Sequence, residues 1–118
     1  MEEQIKFRTK HIGLKIIKLI DDLPNKPSAV AIAKQIVRSS TSIGANYRAA
    51  CRAKSTADFI NKLKIVEEET DETIYWLEIL EESSLVRKDK LSDLMIETNE
   101  ILSIIVASIN TSRKNLKS

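Results

Sequence analysis

The chain has 118 residues, 19 Lys and Arg against 17 Asp and Glu for a net charge of +2, one cysteine, two Gly and two Pro. That length suits one domain with a real core; 42% hydrophobic but only 4% aromatic residues put the core on Ile, Leu, Val and Ala, and the scarcity of turn residues demands long elements. The lone Cys51 excludes an intrachain disulfide and fits a reducing cytoplasm, Met1-Glu2-Glu3 is no signal-peptide start, and the longest uncharged stretch near the end, residues 101–112, is too short and polar to span a bilayer, so no membrane role is expected.

The first helix is expected over residues 4–23, where Ile5, Ile12, Ile16, Leu19 and Leu23 recur at helical spacing. It must stop before Pro24-Asn25-Lys26-Pro27. A second helix follows over residues 28–52, capped by Ser28 or opened by Pro27 in its first turn. Its seam reads Ala29, Ala33, Ile36, Ser40, Ile43, Tyr47 and Cys51. Gly44 beside that seam costs a helix roughly 1 kcal/mol relative to Ala, which points to a neighbouring helix passing close. Ser55-Thr56-Ala57-Asp58 has capping-box spacing and starts a third helix over residues 56–83, with Phe59, Leu63, Val66, Thr70, Thr73, Leu77 and Leu80 as its seam. Ser83-Ser84 ends it. The fourth helix is expected over residues 88–112, with Leu91, Leu94, Met95, Thr98, Ile101, Leu102, Ile105, Val106 and Ile109 along its apolar side and fraying from Arg113. Short connections between long helices give one all-α domain over residues 1–118, an antiparallel up-down-up-down four-helix bundle.

One stripe per helix suffices for a monomer, yet two helices carry more. Phe7, Leu14 and Ile17 lie off the first seam, and Ile65, Tyr75, Trp76 and Ile79 off the third. Aromatic residues are favoured at interfaces, so Phe7, Leu14, Ile17, Tyr75, Trp76 and Ile79 are the candidate contacts of a homo-oligomer.

The charges are lopsided: residues 1–64 carry a net +8 and residues 65–118 a net −6. Antiparallel folding gathers the start of helix 1, the end of helix 2, the start of helix 3 and the end of helix 4 at one basic pole. Basic groups near helix C-termini complement the macrodipole, but Lys6, Arg8 and Lys10 near an N-terminus do not. Clustered positive charge fits an anionic partner, of which nucleic acid is the commonest. The candidate nucleic-acid ligands are Arg8, Lys10, Arg48, Arg52, Lys54 and Lys62.

Catalytic residues, cofactor and metal are expected to be none. The run Glu67-Glu68-Glu69, Asp71 and Glu72 has no nearby His to complete a metal-binding bundle motif, and reads as a solvated face or as a salt-bridge partner for another subunit. His11 and Cys51 lack catalytic partners in sequence reach. Ser39, Ser40, Thr41 and Ser42 form neither a Gly-x-Ser-x-Gly elbow nor a Ser-x-x-Lys pair.

Residues 35–80 carry a resemblance. Gln35-Ile36-Val37-Arg38, Ser42-Ile43-Gly44-Ala45-Asn46-Tyr47-Arg48-Ala49-Ala50-Cys51-Arg52-Ala53-Lys54-Ser55, Asp58-Phe59-Ile60-Asn61-Lys62-Leu63, Glu67-Glu68-Glu69 and Asp71-Glu72 resemble the bacterial four-helix-bundle proteins also called 23S ribosomal RNA intervening-sequence proteins. The resemblance implies a homopentamer with a basic surface for RNA or DNA, and a related branch serves as accessory subunit to a reverse transcriptase. Many members have an acidic residue and Gly after the position of Asn46, where this chain has Tyr47-Arg48-Ala49-Ala50, a more basic variant. The leading expectation is a non-enzymatic homo-oligomer that presents Arg and Lys to nucleic-acid backbone. The alternative is a scaffold or accessory subunit that docks a protein partner through its acidic or aromatic surface.

Overall fold

The structure is a computed structural model that describes residues 1–117, with side chains through Leu116. It contains α1 (Glu2–Asp21), α2 (Pro27–Cys51), α3 (Thr56–Glu82) and α4 (Lys88–Lys117), and no strand among the described residues. Each helix packs on its neighbours in sequence, and α1 closes on α4 along a slighter seam. The backbones of the diagonal pairs stay further apart, so the helices stand at the corners of a square in a body 52 × 21 × 21 Å.

The helix ends follow from local chemistry. Beyond α1, the Leu23 N–H still bonds the Ile20 carbonyl at 3.1 Å before Pro24 stops the run. Pro27, not Ser28, opens α2: its fixed φ suits the first turn, and Lys26 stands extended at the cap without a side-chain bond. At α3, Ser55 Oγ accepts from the Asp58 N–H at 3.1 Å, while the Asp58 carboxylate accepts from the Lys54 N–H at 3.2 Å, one residue earlier than a standard box. Ser84 leaves α3 at φ 62° with its N–H on the Glu81 carbonyl at 3.0 Å, the inner bond of a Schellman exit, while the Val86 N–H, one residue beyond the usual donor, reaches the Leu80 carbonyl at 3.2 Å. At the far end α4 runs through Lys117 instead of fraying at Arg113, because residues 113–117 contain neither Gly nor Pro.

The core is an Ile and Leu column that includes Ile12, Ile16, Ile36, Ile43, Leu63, Leu77, Leu80, Leu91, Ile101 and Ile105, all without solvent exposure. Six hydroxyl residues are sealed within it: Thr9, Ser39, Ser40, Thr70, Thr73 and Thr98. An unbonded hydroxyl there would cost on the order of 1–3 kcal/mol. Each instead bonds a carbonyl one turn back, as Thr9 does with Ile5 at 2.8 Å and Thr98 with Leu94 at 2.7 Å. Thr73 also donates across helices to Ser39 Oγ at 2.9 Å, which pins the register of α3 on α2.

The second register point is glycine. A Cβ on Gly44 would stand 3.3 Å from the Lys10 nitrogen and 3.4 Å from its Cα, so α2 lies directly on the α1 backbone. The expected close approach at Gly44 is present, and Gly13 answers it from α1, opposite Ser40 and Thr41.

Candidate functional site

Antiparallel packing brings the start of α1, the end of α2, the start of α3 and the end of α4 to one end of the bundle. A shallow cleft there is lined by Glu2, Cys51, Lys54, Thr56, Phe59 and Ser112, among others from all four helices. The basic pole exists as a place, although not all of its cations are free of carboxylates. The helix α1 has 20 residues and α4 has 30. The start of α1 stands by the end of α4 at this cleft, yet two carboxylates from the middle of α4 are within reach of its second turn.

Arg8 is where this matters. Its Nε and Nη2 donate to Glu97 at 2.9 and 2.7 Å, and Nη2 also donates to Glu100 at 2.9 Å. Both members of the Arg8–Glu97 pair are about three-quarters buried. The Arg8 hydrogen bond holds the Glu97 carboxyl below its ordinary pKa, against a smaller opposing effect of burial. The pair is thus a clasp across the slight α1–α4 seam. Lys62 is engaged too, with Asp58 at 2.9 Å, and lowers its pKa with help from the Lys54 N–H. Of the six candidate ligands, then, Arg8 and Lys62 are held by carboxylates of their own chain.

Lys10, Arg48, Arg52 and Lys54 are exposed and have no ion pair among the described residues. The same holds for Lys64, Arg113 and Lys114. The side chain of Lys117, which the sequence also places at the basic pole, lies outside the described residues, as does Ser118. Arg48 and Arg52 flank a shallow groove floored by Ala45 and Ala49, where small residues let a ligand approach the helix. Tyr47 is buried, so this patch offers no aromatic face for base stacking. Burial, then the neighbouring Cys51, raises the Tyr47 pKa. The Cys51 thiol is pushed up to about 11, first by burial and then by its hydrogen bond with Glu2, and so stays protonated and unreactive.

The six candidate interface residues fall into two groups. Phe7, Leu14 and Ile17 project from α1, Phe7 with 61% of its surface exposed, and Phe7 stacks on His11 at 3.8 Å between ring centres. Leu14 and Ile17 line a groove of about 250 Å³ between α1 and α2 with Lys10, Thr41, Ala45 and Arg48. On α3, Tyr75 is 52% exposed and meets half-buried Trp76 edge-on at 5.0 Å, with Ile79 one turn further along. The Trp76 indole donates to Glu72 at 3.2 Å; Arg38 of α2 bonds both Glu72 and Glu69. The acidic run is therefore partly a tie between α2 and α3, while Glu68 and Asp71 remain exposed without an ion pair among the described residues.

Among the described residues no group of three His, Cys, Asp or Glu is placed to hold a metal ion, and no helix is long and apolar enough to cross a membrane. Fold and surface define a four-helix-bundle protein without an assembled catalytic constellation among the described residues. Residues 2–107 match the family described as 23S rRNA-intervening sequence protein, and the chain belongs to that family. A crystal structure of a protein of unknown function from the S23 ribosomal protein family of Bacteroides thetaiotaomicron VPI-5482 is similar at 36% identity and TM-score 0.85, over 92% of this chain and 97% of that one. No curated protein gives a significant match.

Proposed function

We propose that the protein is a non-enzymatic homo-oligomer, pentameric as its family resemblance implies, whose basic end holds nucleic-acid phosphates. The observation that carries this reading is the set Arg52, Lys54, Arg113 and Lys114, gathered at one end with no ion pair among the described residues, and Arg48 adjoining them. Uncompensated cations held together raise the energy of the free protein and are relieved by a polyanion. The two comparison names, an rRNA-intervening sequence family and a ribosomal protein family, fit RNA as that polyanion. Contact is with backbone, since Tyr47 is buried and Phe59 in the end cleft packs partly against the core.

The test is binding of fluorescent RNA and DNA oligomers across a salt series. Log K is expected to fall with log salt by roughly 0.7–0.9 per phosphate contact. The double variant Arg52→Ala, Lys54→Ala should lower that slope by about two contacts and weaken all sequences alike. Unchanged affinity, or loss confined to certain sequences, overturns the backbone reading. A second reading, docking of a different protein on the α3 strip, draws support from the exposed Tyr75 beside Trp76.

A further inference from the structure

The two exposed apolar strips differ in charge. The α1–α2 side offers Phe7, Leu14 and Ile17 with unpaired Lys10 and Arg48. The α3 strip offers exposed Ile65 and Tyr75 with half-buried Trp76, beside exposed Glu68, while Glu72 on the same face is already held by Arg38. Neither is suited to meet a copy of itself, because like charges would face each other in a twofold contact. We infer that the two strips are the two halves of one head-to-tail interface: the α1–α2 groove of one copy receives the α3 strip of a second copy. This rests on the self-association proposed above and specifies how it is made.

Register supports the pairing. With Gly44 against Lys10 and Ser39 bonded to Thr73, the heights of α1, α2 and α3 are tied together. Lys10 is then level with Glu68, Phe7 with Ile65, Leu14 with Glu72, and Ile17 with Tyr75. A neighbour turned about an axis parallel to the bundle, without sliding along it, places cation beside carboxylate near the middle. Apolar side chains meet on either side, and the Glu72–Trp76 edge lies over Leu14.

Direction supports it as well. The α3 strip leans towards α2, as the Arg38 bonds to Glu69 and Glu72 show, and the α1 strip leans towards α2 around Gly13 and Gly44. The two halves thus occupy adjacent sides of the square, with α2 at the corner between them. Successive copies turn by a large angle, which closes a small ring instead of extending a filament. In that ring Lys10 faces carboxylates, and the pole of Arg52, Lys54, Arg113 and Lys114 is repeated around one rim.

The test uses two full-length variants whose damaged sides carry the same charge sign and repel each other. Lys10→Glu with Ile17→Asp spoils only the groove side, and Ile65→Glu with Tyr75→Glu spoils only the strip; all four positions are exposed in the single chain. Circular dichroism melts confirm that both fold. In sedimentation, wild type is expected at several chain masses, each variant alone at one chain mass, and the equimolar mixture at two, since one intact groove meets one intact strip and growth stops. A variant that dimerises alone through its intact side, or a mixture that stays at one chain mass, overturns the head-to-tail pairing. Wild type at one chain mass at every concentration fails earlier, at self-association itself, and removes both readings.

Discussion

Gly44→Leu is expected to lower the thermal midpoint by roughly 10 °C. Overpacking a well-filled contact costs about 1–3 kcal/mol and more where backbone must move, and in a domain of this size each kcal/mol shifts the midpoint by several degrees. The obstacle at Gly44 is backbone, Lys10 N and Cα with the Thr9 carbonyl carbon, none of which can swing away. Gly44→Ala is the internal control. It gains roughly 1 kcal/mol of helix propensity and loses much of it against the 3.3 Å contact, so its midpoint should stay near wild type. At Gly13 an added Cβ meets the Thr41 methyl at 3.4 Å, a side-chain group, and Gly13→Ala should be mildly stabilising. Calorimetric or dichroic melts of the three variants read this out. A Gly44→Leu protein that melts with wild type would mean that α1 and α2 are free to separate.

Arg8→Met should cost about 2 kcal/mol near neutral pH, and the loss should vanish in acid. Removing the guanidinium leaves Glu97, three-quarters buried, without the charged donor that offsets its burial. Glu100 is more than half exposed and adds little. The sign of the pH effect follows from Glu97. Its folded-state pKa lies below the unfolded value near 4.3, so the clasp contributes fully above that value and fades as pH falls through the depressed one. Urea denaturation at pH 7 and pH 3 checks it: a gap between variant and wild type at pH 7 that narrows at pH 3. A gap just as wide in acid would mean that the Arg8 stem acts by packing and its charge does not matter.

Much of the bundle was legible because its signals are local. Apolar residues at helical spacing, Pro24 and Pro27, the Ser55 cap and the serines at 83 and 84 each act within a few residues. Gly44 was legible for a different reason, since a costly residue in mid-helix needs a compensating neighbour. The basic pole was only partly readable. Arg8 and Glu97 are separated by 89 positions, and no spacing rule links them. Their meeting depends on how α1 lies against α4 once the three hairpins are stacked, which no local signal encodes. Arg38 with Glu69 and Glu72 was hidden in the same way: an acidic run looks solvated until the α2–α3 register puts a guanidinium between two of its members.

The slight α1–α4 seam has a kinetic consequence. Every other contact joins helices consecutive in sequence, linked by connections of only four or five residues. Those hairpins close over short loops and make for low contact order, the topology of chains that fold in microseconds to milliseconds. Bringing α1 onto α4 is the one step that must close nearly the whole chain into a loop, and it has the least surface to reward it. The molecule should therefore condense as three helical hairpins and latch last at Arg8, and on unfolding it should part first along that same edge.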